Sequence, residues 1–193
     1  KSLLSSTLKY YFQGERELFN GLAIDTLETE WIQYPVFHFD LSTTKNKDAI
    51  GLIGDISLKL SAYETEYNIE HSGNASLGQR LSALLSMAHD LKKQRCVVII
   101  DEYDAPLLDV LHSSEELSSI RRIMQEFYTP LKASDSDLRF VFITGITKFS
   151  QMSIFSVINN IQDISMLPGY SSICGITEDE LKTVFVEDIA ALA

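Results

Sequence analysis

The fold of this chain is set by residues 96–104, an apolar run that ends in carboxylates: Cys96-Val97-Val98-Ile99-Ile100-Asp101-Glu102-Tyr103-Asp104. An unbroken run of mostly β-branched residues is typical of a strand covered on both faces, as in a parallel sheet packed between helices. Ligands of such sheets bind outside the carboxyl ends of the strands. We therefore expect Asp101 and Glu102 at the functional edge of the sheet.

The acidic pair matches a Walker B motif. In that motif an aspartate holds Mg²⁺ and the following glutamate polarises the attacking water, roles that would fall to Asp101 and Glu102. The alternative is that these acids are solvated at a strand end or cap the following turn. Short motifs of this kind also occur by chance, so both interpretations stay open at this point.

The start of the chain supplies a second piece of the same pattern. A P-loop reads G-x-x-x-x-G-K-[ST] and runs directly into a helix. Lys1 and Ser2, followed by an amphipathic segment, would be the last two residues of that motif. Two residues do not establish a motif. The order of the two pieces, with the acidic strand about a hundred residues downstream, is nevertheless the order of a P-loop NTPase.

Composition limits the function classes. The 193 residues are 45% apolar with a net charge of −11, which is ordinary for a soluble domain and argues against a broad nucleic-acid surface on this chain. Cys96 and Cys174 lack metal-ligand spacing, and we expect both to be reduced. No stretch approaches the length of a membrane span and no signal peptide is visible. We expect a cytoplasmic protein without membrane contact.

Helical and strand patterns alternate along the chain. Apolar periodicity predicts helices over residues 3–12, 47–67, 76–92, 113–131 and 153–159, and from 177 to the end, with short helical turns near 16–19 and 105–109. Short apolar runs predict strands over residues 35–41, 96–101, 138–145 and 163–165. Ile50, Ile53 and Leu91 belong to the stripes expected to face the core. The alternation predicts an α/β fold with a mainly parallel sheet.

Three polar residues near the strand ends have competing interpretations. His38 and Asp40 share one side of the first strand. We expect a hydrogen-bonded histidine in the strand and a turn or capping role for Asp40. Asp104 could lie behind a metal ligand or cap the turn at Ala105-Pro106, and the sequence favours the turn.

Longer runs carry a specific resemblance. The chain resembles the predicted AAA-ATPase-like domain found mainly in bacteria, often ahead of a restriction-endonuclease-like nuclease domain. The resemblance rests on residues 1–8, on Ile100-Asp101-Glu102-Tyr103-Asp104-Ala105-Pro106-Leu107, on Phe142-Ile143-Thr144-Gly145-Ile146-Thr147-Lys148-Phe149-Ser150, and on residues 175–181. It therefore spans nearly the whole chain, and its middle runs are far more specific than a bare Walker B motif.

The resemblance implies a three-layer P-loop NTPase core of the additional-strand type, with residues 140–144 as the strand between the P-loop strand and the Walker B strand. It implies that the first strand and most of the P-loop are lacking here, so this fragment should bind nucleotide poorly. Thr144 would be the sensor of the terminal phosphate, with Thr147 and Lys148 as weaker neighbours. Alternatively, the Thr144 hydroxyl satisfies the backbone of the Gly145 turn.

The domains implied are a core over residues 1–169 and the start of a C-terminal helical extension over 170–193. We expect an ATPase in the full-length protein, with ATP and Mg²⁺ as ligands and hydrolysis used as a switch or motor. Lys1 would reach the β- and γ-phosphates, Ser2 and Asp101 would hold Mg²⁺, and Glu102 would be the general base. A nuclease domain and an oligomer are further partners implied.

Two other function classes compete with this hypothesis. The first is a nucleotide-dependent binding or scaffold module that does not hydrolyse. The second is a two-metal phosphodiesterase site formed by Asp101, Glu102 and Asp104. We rank the second last because the order of elements fits a nucleotide fold better.

Overall fold

A computed structural model describes residues 1–44, 48–70, 73–146 and 161–192. The chain divides into two compact units, one formed by Ser2–Asn160 and one by Lys1 with Ile161–Ala193. The predicted domain boundary after residue 169 stays a prediction. The predicted helix over 153–159, and the predicted neighbours Thr147 and Lys148, lie outside the described residues.

The larger unit contains a parallel sheet in the described part of the chain. Its strands are β1 (Val36–Asp40), β2 (Cys96–Asp101) and β3 (Leu138–Ile143), in the spatial order β1-β2-β3. Both neighbouring pairs are parallel. The predicted α/β class with a parallel sheet is therefore confirmed, and the strand that ends in Asp101 lies between the other two.

Helices cover both faces of this sheet. The described helices of the larger unit are α1 (Ser2–Phe12), α2 (Ala23–Leu27), α3 (Ala49–Glu66), α4 (Leu77–Lys92), α5 (Ala105–Leu108), α6 (Ser114–Tyr128) and α7 (Pro130–Ala133), with short 3₁₀ turns at Arg16–Phe19, Ser42–Thr44 and Asp135–Asp137. None of the described helices has both the length and the apolar character needed to cross a membrane.

One face of the sheet carries α3, α4 and α6, and the other carries α1. Phe37 packs on Tyr63 of α3, and Phe39 packs on Phe127 of α6, with ring centroids 5.1 and 5.2 Å apart. The Cys96 thiol donates to a backbone carbonyl of α4. On the opposite face, Leu8 and Phe12 of α1 pack against a core formed by Val36, Val97 and Ile99. The layering follows from the strand pattern, because alternate side chains point to opposite faces.

Helix starts follow the predicted capping residues, but the buried faces differ in detail. Ser76 and Gln79 form the predicted capping box of α4. The predictions for Ile50, Ile53 and Leu91 are wrong, since their exposed fractions are 80%, 42% and 62%. The buried stripe of α3 consists of Leu52, Ile56, Leu60 and Glu64. Periodicity could not identify that stripe because it includes a glutamate.

β3 is less buried than its composition predicts. Phe140, Val141, Phe142 and Ile143 are only half-buried. The physical reason is position, because β3 lies at the edge of the sheet that the described residues form. Its apolar side chains therefore lack the neighbouring strand that β2 has on either side.

The smaller unit contains α8 (Glu178–Thr183), α9 (Val186–Leu192) and a 3₁₀ turn at Pro168–Tyr170. The predicted strand over 163–165 is wrong, because the Asp163 carboxylate accepts the Ser165 N–H at 2.9 Å and closes a turn. The capping box at Thr177 and Glu180 is confirmed. The helix it opens ends at Thr183 rather than running to the end of the chain.

Candidate active site

Asp101 and Thr144 meet at the carboxyl edge of the sheet. Asp101 ends β2 and is 3% exposed, and Thr144 directly follows β3 and is 8% exposed. The Thr144 hydroxyl donates to Asp101 Oδ1 and accepts the Glu102 N–H at 3.3 Å. The hydroxyl is thus bonded to both acidic residues of the motif, rather than to the Gly145 turn that the alternative interpretation proposed.

Glu102 has a backbone conformation that glutamate rarely adopts. Its φ of 52° lies in the left-handed region, which costs on the order of 1–3 kcal/mol for a residue with a side chain. Two bonds from the exit of β3 hold this conformation: the Thr144 hydroxyl accepts the Glu102 N–H, and the Thr144 carbonyl accepts the Tyr103 N–H at 2.9 Å. Such strain persists only where the surroundings fix it, as they do at functional sites.

Asp104 has a different role from the predicted turn cap. It is fully buried, and its side chain makes no capping bond to α5. Instead its two carboxylate oxygens lie 2.9 and 3.2 Å from the Ile146 backbone N–H, which donates to them. The favoured prediction was therefore wrong, because a loop distant in sequence supplies the donor.

α1 runs antiparallel to the strands and brings its N-terminus to the same edge. Its last residue, Phe12, accepts the N–H of Tyr34 just before β1 and packs on Phe140 near the start of β3. From Phe12 back to Ser2 the helix is about 15 Å long. The strand from Val97 to Asp101 is about 13 Å long. From Phe12, α1 is therefore long enough to span the strand up to Asp101.

Ser5 lies on the side of α1 that packs against the sheet, and the sequence did not point to it. It is completely buried, and its hydroxyl has no hydrogen-bond partner in the part of the chain that the structure describes. Ser5 lies at helical spacing from Leu8 and Phe12, the α1 residues that face the sheet. That spacing was the available signal.

The two residues of the predicted P-loop remnant are placed differently. Ser2 is the first residue of α1 and is exposed. Lys1 is also exposed and belongs to the smaller unit with Ile161–Ala193. The predicted contact of Lys1 with phosphate therefore stays a prediction.

β1 adds two polar neighbours. Asp40 lies opposite Asp101 in the sheet register, and its carboxylate accepts the Ser42 N–H at 2.9 Å, which confirms a turn role. Burial raises the pKa of Asp40, but hydrogen bonds from Ser42, together with the charges of Lys59 and His38, hold that pKa below its usual value.

His38, in the middle of β1, does not have the fully bonded side chain that we expected. Its Nε2 atom is buried without a hydrogen-bond partner among the described residues. Burial lowers the pKa of His38, and the nearby Lys9 lowers it further. Asp101 acts in the opposite direction, which places the imidazole within electrostatic reach of the site.

These features define a class of protein. A parallel α/β core carries a buried aspartate and a constrained glutamate at its carboxyl edge, and a helix N-terminus is directed to the same edge. Carboxylate oxygens suit Mg²⁺, and helix N-termini attract phosphate. The arrangement is consistent with a P-loop-like nucleotide-binding core.

Comparison with known proteins places the chain within that class. The chain belongs to the AAA-ATPase-like family, described as predicted AAA-ATPase, whose model matches residues 1–155. It is 35% identical, over all 193 of its residues, to a protein of Azotobacter chroococcum mcd 1 described as "Uncharacterized protein in vnfD 5'region". The chain spans 37% of the length of that relative. No solved structure matches the chain. Family membership indicates a nucleotide-binding, ATPase-like function.

Proposed function

We propose that this chain is the core of an ATPase that binds ATP with Mg²⁺ and uses hydrolysis as a conformational switch or motor. The observation that carries the proposal is the cluster of Asp101, Glu102 and Thr144 at the carboxyl edge of the sheet. The N-terminus of α1 is directed to that edge, as anion binding requires.

The residues fit the ligands that the family implies. Mg²⁺ is usually held by one or two carboxylates together with substrate phosphates, rather than by an all-protein cage. The described residues contain no cluster of three or more His, Cys, Asp or Glu that could hold a metal ion. The Ser5 hydroxyl, which has no hydrogen-bond partner among the described residues, is a polar atom in the helix that the phosphates would approach.

Each residue is assigned one task. Asp101 and Ser2 would hold the metal ion, and Lys1 would contact the β- and γ-phosphates. When bound, Mg²⁺ supplies positive charge against the phosphate oxygens. Glu102 would accept a proton from the attacking water. Its constrained backbone would hold its side chain in a fixed orientation. Thr144 would sense the terminal phosphate.

The two outer edges of the sheet bear on the additional-strand assignment. Along β1, the Tyr63 hydroxyl accepts the His38 N–H at 2.9 Å and donates to the His38 carbonyl at 3.1 Å, which closes that edge. Along β3, the apolar side chains are half-buried. We propose that a strand and glycine-rich loop before Lys1 in the full-length protein cover β3, which would then separate the P-loop strand from β2.

The test is ATP hydrolysis by the full-length protein and its Glu102→Gln variant. Loss of the general base should lower turnover about 10²–10⁴-fold while nucleotide affinity is retained. Glu115→Gln is the matched control, because Glu115 is exposed in the first turn of α6. Equal turnover in the wild type and in Glu102→Gln would end the assignment of Glu102.

The same measurement decides between the competing classes. Tight ATP binding without turnover in the wild type would favour a non-hydrolysing switch or scaffold module. The two-metal nuclease site is disfavoured by Asp104, whose carboxylate is buried and bonded to backbone. A carboxyl-terminal nuclease domain and an oligomer, both implied by the family resemblance, stay predictions.

A further inference from the structure

We propose that Asp104 is a positioning residue that fastens the exit of β3 to the exit of β2 and so keeps the Thr144 hydroxyl on Asp101 and Glu102. Its consequence for hydrolysis rests on the proposed function. The fastening itself rests on the geometry of the two segments, 102–104 and 144–146.

Three consecutive residues after β2 bond to two residues after β3, Thr144 and Ile146. The Glu102 N–H donates to the Thr144 hydroxyl, and the Tyr103 N–H donates to the Thr144 carbonyl. The Ile146 N–H donates to the Asp104 carboxylate. The first two links use the backbone of the acidic segment. Only the third uses a side chain of that segment, so only the third can be removed there by substitution.

Packing at Gly145 shows how closely the two exits approach. A Cβ atom on Gly145 would lie 2.3 Å from the ring of Tyr103 and 2.7 Å from Asp104 Oδ1. Real Cβ contacts are essentially never shorter than 3.0 Å. The two segments are therefore in direct contact between the Thr144 and Asp104 links, and a shift of one segment must move the other.

Burial strengthens the hydrogen bond by which Asp104 joins the two segments. Asp104 is completely removed from solvent, where a hydrogen bond to a carboxylate is not weakened by competing water. Both oxygens lie within hydrogen-bond distance of a single backbone N–H group. A buried carboxylate that loses its donor is strongly disfavoured, so the bond fixes the position of Ile146.

The consequence concerns the geometry of the acidic pair. If the Asp104 link is lost, residues 144–146 gain freedom, and the Thr144 hydroxyl is no longer held against Asp101. Residues that orient ligating groups by hydrogen bonding to them, without touching the ligand themselves, typically contribute about 10–100-fold to activity. We expect Asp104→Ala to lower kcat for ATP by that factor while KM changes less.

The experiment measures backbone hydrogen exchange and ATP turnover in the full-length protein. The variants are Asp104→Ala, Asp104→Asn, Thr144→Val and the double variant of Asp104→Ala with Thr144→Val. Asp90→Ala is the control, because Asp90 is exposed on α4. Asp104→Ala should speed exchange at 144–146 and at 102–103. Asp104→Asn should recover most of kcat, because its amide oxygen still accepts the Ile146 N–H.

The double variant identifies the route of the effect. If Asp104 acts through Thr144, the double variant is no slower than Thr144→Val alone. Costs that multiply would overturn the proposal, as would unchanged exchange at 144–146 in Asp104→Ala. If Asp104→Ala fails to fold, Asp104→Leu decides, because leucine is of similar size but cannot accept the Ile146 N–H: faster exchange at 144–146 supports the link, and wild-type exchange contradicts it.

The exchange measurement also separates this proposal from the proposed function. A wild-type protein that does not hydrolyse ATP would overturn the ATPase assignment and leave the exchange result to decide the Asp104 link. Conversely, active wild-type protein with unchanged exchange at 144–146 in Asp104→Ala would overturn the link alone.

Discussion

Two buried charged clusters in this molecule use the same kinds of side chain for different purposes. In the helical layer, Arg80 of α4 donates to both carboxylate oxygens of Glu64 of α3, at 2.8 and 2.6 Å. Arg80 also donates to the Ser61 hydroxyl and the Ser57 carbonyl. At the sheet edge, Asp101 and Asp104 bond instead to the loop after β3.

The difference lies in what each cluster holds. The Arg80 cluster pairs opposite charges and joins two helices, so its loss should lower the free energy of unfolding. The Asp101 and Asp104 cluster contains carboxylates that bond to a hydroxyl and a backbone N–H, and it joins two loops at the edge where ligands bind. Loss of the Asp101 and Asp104 cluster should mainly change the geometry of the site.

The largest expected effect on stability is at Arg80. Arg80→Met removes the positive charge that pairs with the buried Glu64 carboxylate, which should lower the free energy of unfolding by about 3–5 kcal/mol. Chemical denaturation measures this, and the KM for ATP should not change. Arg16→Met is the control, since its pair with Asp25 is largely exposed and should contribute about 0.2–1 kcal/mol. Equal losses in the two variants would contradict the comparison.

The corresponding change at the sheet edge should reverse this pattern. Thr144→Val keeps the shape of the side chain but removes the hydroxyl that bonds Asp101 and Glu102. We expect turnover of ATP to fall about 10–100-fold, with a smaller loss of stability than in Arg80→Met. Thr144→Ser, which keeps the hydroxyl, should restore most of the turnover. A serine variant as slow as the valine variant would show that the hydroxyl is not the active feature.

The close approach at Gly145 can be tested separately. Gly145→Ala forces the Tyr103 ring to move and should cost about 1–3 kcal/mol of unfolding free energy. Gly54 of α3 has open space around it, so Gly54→Ala should instead stabilise by about 0.5–1 kcal/mol. Thermal unfolding of both variants measures the contrast, and a shift in the same direction for both would refute it.

A smaller effect is expected where the edge of β1 is closed. Tyr63→Phe keeps the ring against Phe37 but removes the hydroxyl that bonds the His38 backbone. The loss should be about 0.5–1.5 kcal/mol, and hydrogen exchange at His38 should become faster. Unchanged exchange at His38 would mean that the hydroxyl does not protect this edge.

The smallest effect concerns pH. Burial lowers the pKa of His38 below its ordinary value of 6.5, so the unfolded chain takes up a proton first as the pH falls. The folded state is therefore fully stable, with respect to His38, above the ordinary histidine pKa. It loses stability as the pH falls towards the lowered pKa of His38 in the folded chain. Unfolding measured between about pH 5 and 8 should show a weaker pH dependence in His38→Gln than in the wild type. Identical curves would contradict this.

The sequence predicted the parts of the fold that depend on local pattern. The run from Cys96 to Asp101 gave a buried strand, and Ser76 with Gln79 gave the start of α4, because strand composition and capping act over a few residues. The buried face of α3 could not be predicted. Glu64 is inside only because Arg80, from another helix, meets it there.

The sequence singled out Asp101, Glu102 and Thr144 as candidate site residues, but it did not predict the hydrogen bonds between them. The pattern after β2 identified Asp101 and Glu102, and the run around Thr144 identified its neighbour. That Thr144 bonds both, and that Asp104 holds Ile146, depends on the register of β2 with β3, which no local pattern encodes. Ser5 was missed because a serine in an amphipathic helix resembles a surface residue until the helix is placed on the sheet.

The most direct test of the central claim is where a metal-nucleotide complex binds. In the full-length protein, Mn²⁺ added with a non-hydrolysable ATP analogue should broaden the magnetic resonance signals of Ser2, Asp101 and Thr144 most strongly, and should not do so without the analogue. Signals near Cys96 and Phe12, at the opposite end of the strands, should broaden much less. Broadening centred on that opposite end, or broadening that does not depend on the analogue, would contradict the account.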